Sequence, residues 1–257
     1  MPLRVENKIA IVTGGSRGIG EGCARALAAE GARVVIADQR VEDGERTAQS
    51  IKQSGGDAVF EKTDVLDQKS IEACVAATLR RYHALDILVN NAGTHFPHTI
   101  DSLTPERWDF LIDLNLKSMY LFCKAALPEI RKRKGAIVNM SSVNGRLAIP
   151  SIASYNASKG AIDQLTRVMA LALADRGVRV NAVAPGTIAT ELARNAVLTS
   201  DDAKARIMSR TPMKRLGEPS EIADVCAFLL SDASSYVTGE IVVVDGGRMT
   251  LNYTVPV

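Results

Sequence analysis

The stretch KIAIVTGGSRGIGEGCARALAAEGARVVIAD, residues 8–38, decides the fold. Ile9 to Val12 form a continuous apolar run, the pattern of a strand buried on both faces. The run breaks into the glycine-rich TGGSRGIG, and an amphipathic pattern predicts a helix over 20–30. A Val/Ile run over 33–37 then predicts a second strand, and Asp38 ends it.

Outward from this unit the same alternation repeats. Helices are predicted over 41–53 and 68–82, strands over 58–62 and 86–89, and a long helical region over 105–134. A strand over 136–140, a helix over 154–174 and a strand over 178–184 follow, then helical segments near 202–209 and 220–230 and a strand over 241–244. Strands alternating with helices imply a mostly parallel α/β sheet with helices on both faces. No composition shift, linker or internal repeat divides the sequence, so residues 1–257 read as one domain.

In such sheets ligands bind outside the carboxyl ends of the strands. The punctuated sites TGGSRGIG, Asp38, Asp64, NNAG (90–93), Ser142 and Pro185-Gly186 all fall at those ends. Gly14, Gly18 and Gly20 lie where a backbone must turn tightly and approach a pyrophosphate at a helix N-terminus. Their spacing is G-x-x-x-G-x-G rather than the common G-x-G-x-x-G. Asp38 sits 18 residues after Gly20, close to the spacing of a ribose-binding carboxylate, and a carboxylate there repels a 2′-phosphate. NAD is therefore favoured; Arg17 and Arg40 are cations that leave NADP open.

The second chemical cluster is Ser142, Tyr155 and Lys159. The strand over 136–140 delivers Ser142 at its end, while Tyr155 and Lys159 stand at i and i+4 on one helical face. A cation beside a phenol lowers its pKa from about 10. A serine hydroxyl can hold a substrate oxygen, so the trio is a plausible acid/base site for an alcohol or carbonyl. Tyr-x-x-x-Lys also arises by chance on helices, and it is the surrounding motifs that favour the catalytic reading.

Composition narrows the field. Hydrophobic residues at 46% and charged residues at 23% describe a globular protein with an ample core. A net charge of +2 gives no nucleic-acid or membrane signature. The basic run at Arg131–Lys134 closes a helical pattern, where cations complement the C-terminus. Cys23, Cys74, Cys123 and Cys226 have no paired spacing and read as core residues in a reducing compartment. The sequence enters a strand almost at once and contains no spanning apolar run, so a cytoplasmic enzyme is expected.

The chain resembles the short-chain dehydrogenases/reductases. The motifs that carry this are TGGSRGIG at 13–20, Asp64-Val65, NNAG at 90–93, Asn115 in DLNLKS, Ser142, Tyr155, Lys159, Pro185-Gly186 with Thr190, and TGEIVVVDGG at 238–247. The resemblance implies a Rossmann-type, doubly wound, seven-stranded sheet and hydride transfer between nicotinamide and an alcohol or carbonyl carbon. It implies Tyr155 as proton donor/acceptor, Lys159 as the cation that lowers its pKa and binds the nicotinamide ribose, Ser142 as the group orienting the substrate oxygen, and Asn115 as support for a proton relay. Cofactor contacts would come from Gly14, Ser16, Arg17, Gly18, Ile19, Gly20, Asp38, Asp64, Val65, Asn91, Ala92, Gly93, Pro185, Gly186, Ile188 and Thr190. A homotetramer, or a homodimer, is the implied assembly, and residues 189–213 the implied lid over the substrate.

Several features remain. His95 and His98 have a spacing that suits a metal but lack a third ligand nearby, so a pocket rim is expected and no metal. Asn144, Arg146, His95 and Asn195 are polar pocket candidates; Leu147 and Ile149 fit either the pocket or the core. Trp108 fits packing or a subunit interface, and the apolar tail 249–257 is expected to pack against a neighbouring subunit or near its active site. PGTIATEL and RLGEP resemble the sugar and polyol dehydrogenases of the family, which points to a polyhydroxylated substrate. The alternatives are an NADPH-dependent 3-oxoacyl thioester reductase and a dinucleotide-binding sensor without turnover.

Overall fold

Alternate side chains of the first strand feed two separate cores. In the computed structural model, which describes residues 4–191, 193 and 200–256, β1 (Ile9–Thr13) is buried on both faces. Ala10 and Val12 pack with Cys23, Leu27, Ile222 and Cys226 on one side of the sheet. Ile11 packs with Ile71, Phe122 and Ile162 on the other. This is the period-2 geometry of a strand whose two faces are both covered. All four cysteines are free and buried.

The elements in order are α1 (Gly18–Ala29), β2 (Arg33–Asp38), α2 (Val41–Gln53), β3 (Asp57–Lys62), α3 (Gln68–Tyr82) and β4 (Ile87–Asn90). There follow α4 (Pro105–Ile112), α5 (Ser118–Arg133), β5 (Ala136–Met140), α6 (Ala153–Leu173) and β6 (Arg179–Pro185). The last α-helices and strand among the described residues are α7 (Asp201–Met208), α8 (Pro219–Leu230) and β7 (Ile241–Val244). The seven strands form one sheet in the order β3-β2-β1-β4-β5-β6-β7. Every pairing is parallel. The chain order reverses between β1 and β4, and a crevice opens there beyond their carboxyl ends.

The region expected to be helical over 105–134 is helical from Pro105 to Arg133, with a π-helical turn, Asp113–Lys117, between α4 and α5 that carries Asn115. Nothing in DLNLKS breaks a helix. The turn accompanies tertiary bonds made by Asn115, described below, and single π turns recur at functional sites. The basic run does close a helix: Arg131, Lys132 and Arg133 occupy the last turn of α5, and Lys134 caps it in the left-handed region.

Candidate active site

The mouth of the crevice is stitched together by Thr13. Its hydroxyl accepts from the backbone N–H groups of Asn91 (2.9 Å) and Ala92 (3.0 Å), and the Asn91 amide donates to the carbonyls of Thr13 and Gly14 at 3.1 Å each. The ends of β1 and β4 are thereby locked side by side.

The glycine loop follows. Gly14 and Gly18 have φ of +60° and +57°, the left-handed region that favours glycine. A Cβ on Gly20 would lie 2.1 Å from the Gly14 carbonyl oxygen, so no larger residue fits there. Helix α1 begins at Gly18, and its N-cap, Arg17, makes no side-chain cap. The first N–H groups of α1 are thus left without a side-chain acceptor, and they face a tight glycine cradle. Across the cleft, the Thr190 methyl stands 3.2 Å from where a Gly18 Cβ would be. These residues fit the pyrophosphate of a dinucleotide.

Asp38, at the end of β2, is only 7% exposed. Its Oδ2 accepts from the Ser16 hydroxyl and from Ser16 N (3.3 Å), and its Oδ1 accepts from Arg40 N (3.1 Å). Thr47 donates to the Ser16 carbonyl at 3.1 Å. Ser16 therefore clamps the carboxylate to the loop. Arg17 is committed elsewhere: its Nε donates to Asp43 Oδ2 at 2.5 Å and its Nη1 to Glu191 Oε2 at 2.6 Å. Asp64 lies exposed after β3 and turns back on its own loop, accepting from Leu66 N at 2.9 Å, while Val65 beside it is buried. Ile19 packs against the core on the α1 side. At the end of β6, Gly186 N donates to the Val244 carbonyl (2.9 Å), and the buried Ile188 bridges to Gly217.

The catalytic candidates come from β5 and α6. Ser142 follows β5 in extended conformation, and its Oγ accepts from Asn144 N at 3.1 Å. Tyr155 and Lys159 stand one turn apart at the start of α6. The Lys159 ammonium lies 5.5 Å from the centre of the Tyr155 ring and donates to the Met140 carbonyl at 2.7 Å. Burial draws the Lys159 pKa down to about 8, with Asp163 pushing back upward. Burial also raises the Tyr155 phenol above its ordinary value, and Ser142 pulls it the other way. The net shift of the phenol is upward because desolvation of the phenolate outweighs the pull of its neighbours, with the Lys159 ammonium turned to a strand carbonyl.

Asn115, 1% exposed, joins three segments. Its Oδ1 accepts from Thr94 N (2.9 Å), and its Nδ2 donates to the Thr94 carbonyl (3.0 Å) and to Ser158 Oγ (3.2 Å). Ser158 in turn donates to the Tyr155 carbonyl at 2.8 Å. A Cβ on Gly93 would lie 2.9 Å from Asn115 Oδ1, so the NNAG segment and the π turn are in close contact. Asn115 therefore supports the backbone under Tyr155; no direct bond joins it to Lys159 among the described residues.

His95 meets Tyr155 edge to face, ring centres 5.3 Å apart. His98 is structural: its Nδ1 lies 3.0 Å from the Phe96 carbonyl, and Ser154 N donates to its Nε2 at 3.4 Å. Leu147 is 36% exposed and so lies outside the core, and Arg146 is exposed. Of the expected lid, Thr190, Glu191, Ala193 and the stretch from Ser200 onward are described, with Ser200 capping α7; Asn195 lies outside the described residues. In the tail, Val255 N donates to the Ser209 carbonyl at 2.8 Å, and Tyr253 stands exposed.

Thr13, Ser158 and Asp163 were not singled out by sequence. Asp163 is 4% exposed and accepts from Ser141 Oγ at 2.5 Å. Its position four residues after Lys159 on the same helix face was a readable signal.

A sequence model of the family described as enoyl-(acyl carrier protein) reductase matches residues 14–249. The chain is similar to glucose 1-dehydrogenase 2 of Bacillus subtilis, 40% identical over 251 residues that cover 95% of each protein. It is similar to the 3-oxoacyl-(acyl-carrier-protein) reductase FabG of Chlamydia trachomatis, 38% identical over 243 residues, 94% of this chain and 97% of the relative. Among solved structures, that of gox2181 superimposes with a TM-score of 0.94 at 36% identity, over 97% of this chain and 98% of the other.

Proposed function

The chain belongs to the short-chain dehydrogenase/reductase family, whose members are NAD(P)-dependent oxidoreductases acting on CH–OH groups, and from that premise we propose an NAD-preferring dehydrogenase of a polyhydroxylated secondary alcohol. The observation that carries this reading is the convergence of Ser142 from β5 with Tyr155 and Lys159 from α6, beside a glycine cradle that fits a dinucleotide.

When bound, the nicotinamide supplies the hydride or takes it up. The chain's own residues handle the proton and the oxygen. The Ser142 hydroxyl donates to the substrate oxygen, and the Tyr155 oxygen takes the hydroxyl proton in oxidation and returns it in reduction. Lys159 stays protonated below about pH 8 and sets the field that favours a phenolate, against the burial that opposes it. Asn115, through Ser158, holds the turn of α6 that carries Tyr155. The nicotinamide end would lie against Asn91 to Gly93, Pro185, Gly186, Ile188 and Thr190. The pyrophosphate would sit on Gly14 to Gly20, and the adenosine between Asp38 and Asp64-Val65.

The preference for NAD rests on Asp38, a carboxylate held at the end of β2, and on Arg17, whose charge is spent on Asp43 and Glu191. The polyhydroxylated substrate is supported by the glucose dehydrogenase relative. The FabG relative supports the second reading, an NADPH-dependent 3-oxoacyl thioester reductase. Self-association is part of the proposal: Trp108, Phe110, Tyr120, Val168 and Leu171 leave apolar surface exposed on α4, α5 and α6. No helix among the described residues is long and apolar enough to cross a membrane, and four free cysteines suit a reducing cytoplasm.

The test follows nicotinamide absorbance with NAD⁺ and NADP⁺ over sugars, polyols, simple secondary alcohols and, in reduction, 3-oxoacyl thioesters. Turnover of polyols with NAD⁺ is expected, falling about 10²- to 10⁴-fold in Tyr155→Phe. Turnover confined to NADPH and thioesters replaces this reading with the reductase. Tight cofactor binding without turnover on any substrate replaces it with the sensor.

A further inference from the structure

His95 carries a polar atom with nothing to bind. Its Nδ1 is buried and has no hydrogen-bond partner among the described residues. Buried polar atoms are ordinarily paired, and an orphan costs the full desolvation of the group unless a ligand or water completes it. The contrast with His98, three residues on, is direct, because both of that ring's nitrogens face protein atoms.

The orphan stands at the reacting centre. The His95 ring meets the Tyr155 ring edge-on, at 5.3 Å and 68°. A second orphan flanks the other catalytic hydroxyl: Asn144, whose N–H donates to Ser142 Oγ, has a buried Oδ1 without a partner. One unpaired atom therefore belongs to the ring that meets the Tyr155 ring, and the other to the residue bonded to the serine.

The chemistry of the two atoms narrows what completes them. A carboxamide oxygen only accepts, so Asn144 calls for a donor, which a hydroxyl provides and a carbonyl does not. A neutral imidazole offers one N–H and one lone pair and pairs with a hydroxyl in either tautomer. His95 is held neutral, its pKa drawn below the ordinary histidine value by burial and by the Lys159 charge. Tyr155 and Ser142 already occupy the reacting oxygen. An oxygen on the neighbouring carbon is the next group of such a substrate, and it is the kind of partner that the two orphan atoms call for.

We propose that His95 and Asn144 form a second-hydroxyl subsite that selects vicinal diols, and the corresponding α-hydroxy ketones, over simple alcohols. This rests on the alcohol dehydrogenase reading and sharpens it, because a site built to bond a hydroxyl discriminates strongly against a substrate that lacks it.

The test compares cyclohexane-1,2-diol with cyclohexanol. In the wild-type enzyme with NAD⁺ the diol is expected to have the higher kcat/KM. In His95→Phe the diol-to-alcohol ratio should fall roughly tenfold to hundredfold, the loss of one buried hydrogen bond. His95→Gln, which restores a donor and an acceptor, should recover part of it. A ratio unchanged in His95→Phe overturns the proposal. An independent readout is imidazole ¹⁵N NMR of the wild-type protein, which has three histidines. The resonance absent from His95→Gln should shift on adding the diol and stay in place on adding cyclohexanol; a resonance indifferent to both overturns the subsite. If neither compound is oxidised while that resonance still shifts with the diol, the subsite stands and the dehydrogenase reading falls.

Discussion

Each end of the cleft, the one proposed for the adenosine and the one proposed for catalysis, holds a buried aspartate bonded by a serine, and the two are satisfied differently. At the adenosine end, Ser16 clamps Asp38, and two backbone N–H groups, those of Ser16 and Arg40, also donate to it. At the catalytic end, Ser141 donates to Asp163, whose remaining neighbours are side-chain charges: Lys159, Arg146 and Arg167. Asp38 closes a strand, where the chain exposes spare N–H groups. Asp163 lies within α6, where the helix has consumed its own. Burial accordingly drives the Asp163 pKa up. It also drives the Lys159 pKa down, one turn earlier on the same face. The catalytic end thus stores unfavourable charge burial, and the adenosine end satisfies its carboxylate locally.

The largest expected effect tests that contrast at Lys159. Its pKa is about 8 in the fold against an ordinary lysine value of 10.5, so the unfolded chain holds the proton more tightly. A lowered pKa contributes stability above the unfolded value that is lost as pH falls through the folded one. At neutral pH the protein therefore carries a cost on the order of 3 kcal/mol. Lys159→Met removes that cost, together with a charge that faces Asp163 and the bond to the Met140 carbonyl, ~1 kcal/mol. Turnover should fall about 10²-fold or more, while the urea midpoint at pH 7 rises. A variant less stable than wild type would show that the catalytic end is not strained by its charge.

Asp38→Ala tests the other end, with a smaller effect. The carboxylate is expected to contribute a charge-assisted bond to the ribose, about 1.5–3 kcal/mol, and to repel a 2′-phosphate. The ratio of NAD to NADP dissociation constants, measured by fluorescence titration, should move toward NADP by about tenfold to hundredfold. An unmoved ratio would mean that Asp38 serves the loop and not the ligand.

The same contrast explains what the sequence revealed. Strand runs such as 9–13 and 136–140 are apolar because both faces are covered, and glycines mark where they end, so the sheet and its crevice were legible. Asp38 was legible as the residue that closes β2, because that follows from position along one βαβ unit. The partners of Arg17 lie 26 and 174 residues away, and no local pattern announces them. The π turn at Asn115 escaped notice for the same reason, since its bonds reach Thr94 and Ser158. Asp163, in AIDQLTRV, looks like the polar side of an amphipathic helix. Its burial follows from the turn after β5, where a Cβ on Gly145 would lie 2.9 Å from the Asp163 carboxylate.

The smallest effect belongs to Asp163→Asn, a change nearly isosteric that still accepts from Ser141. Because the folded pKa of Asp163 lies above its unfolded value, 3.8, the folded state binds its proton more tightly. The stability this contributes is fully present below 3.8 and is lost as pH rises through the folded value. Lys159, Arg146 and Arg167 face the carboxylate, and their charges oppose the upward shift that burial imposes. His95 faces Lys159 rather than Asp163. Urea unfolding between pH 4 and 7 should therefore show a wild-type stability that falls, relative to Asp163→Asn, as pH rises. Parallel curves would mean that Asp163 is as well satisfied as Asp38, and that the two serine-held carboxylates differ in position alone.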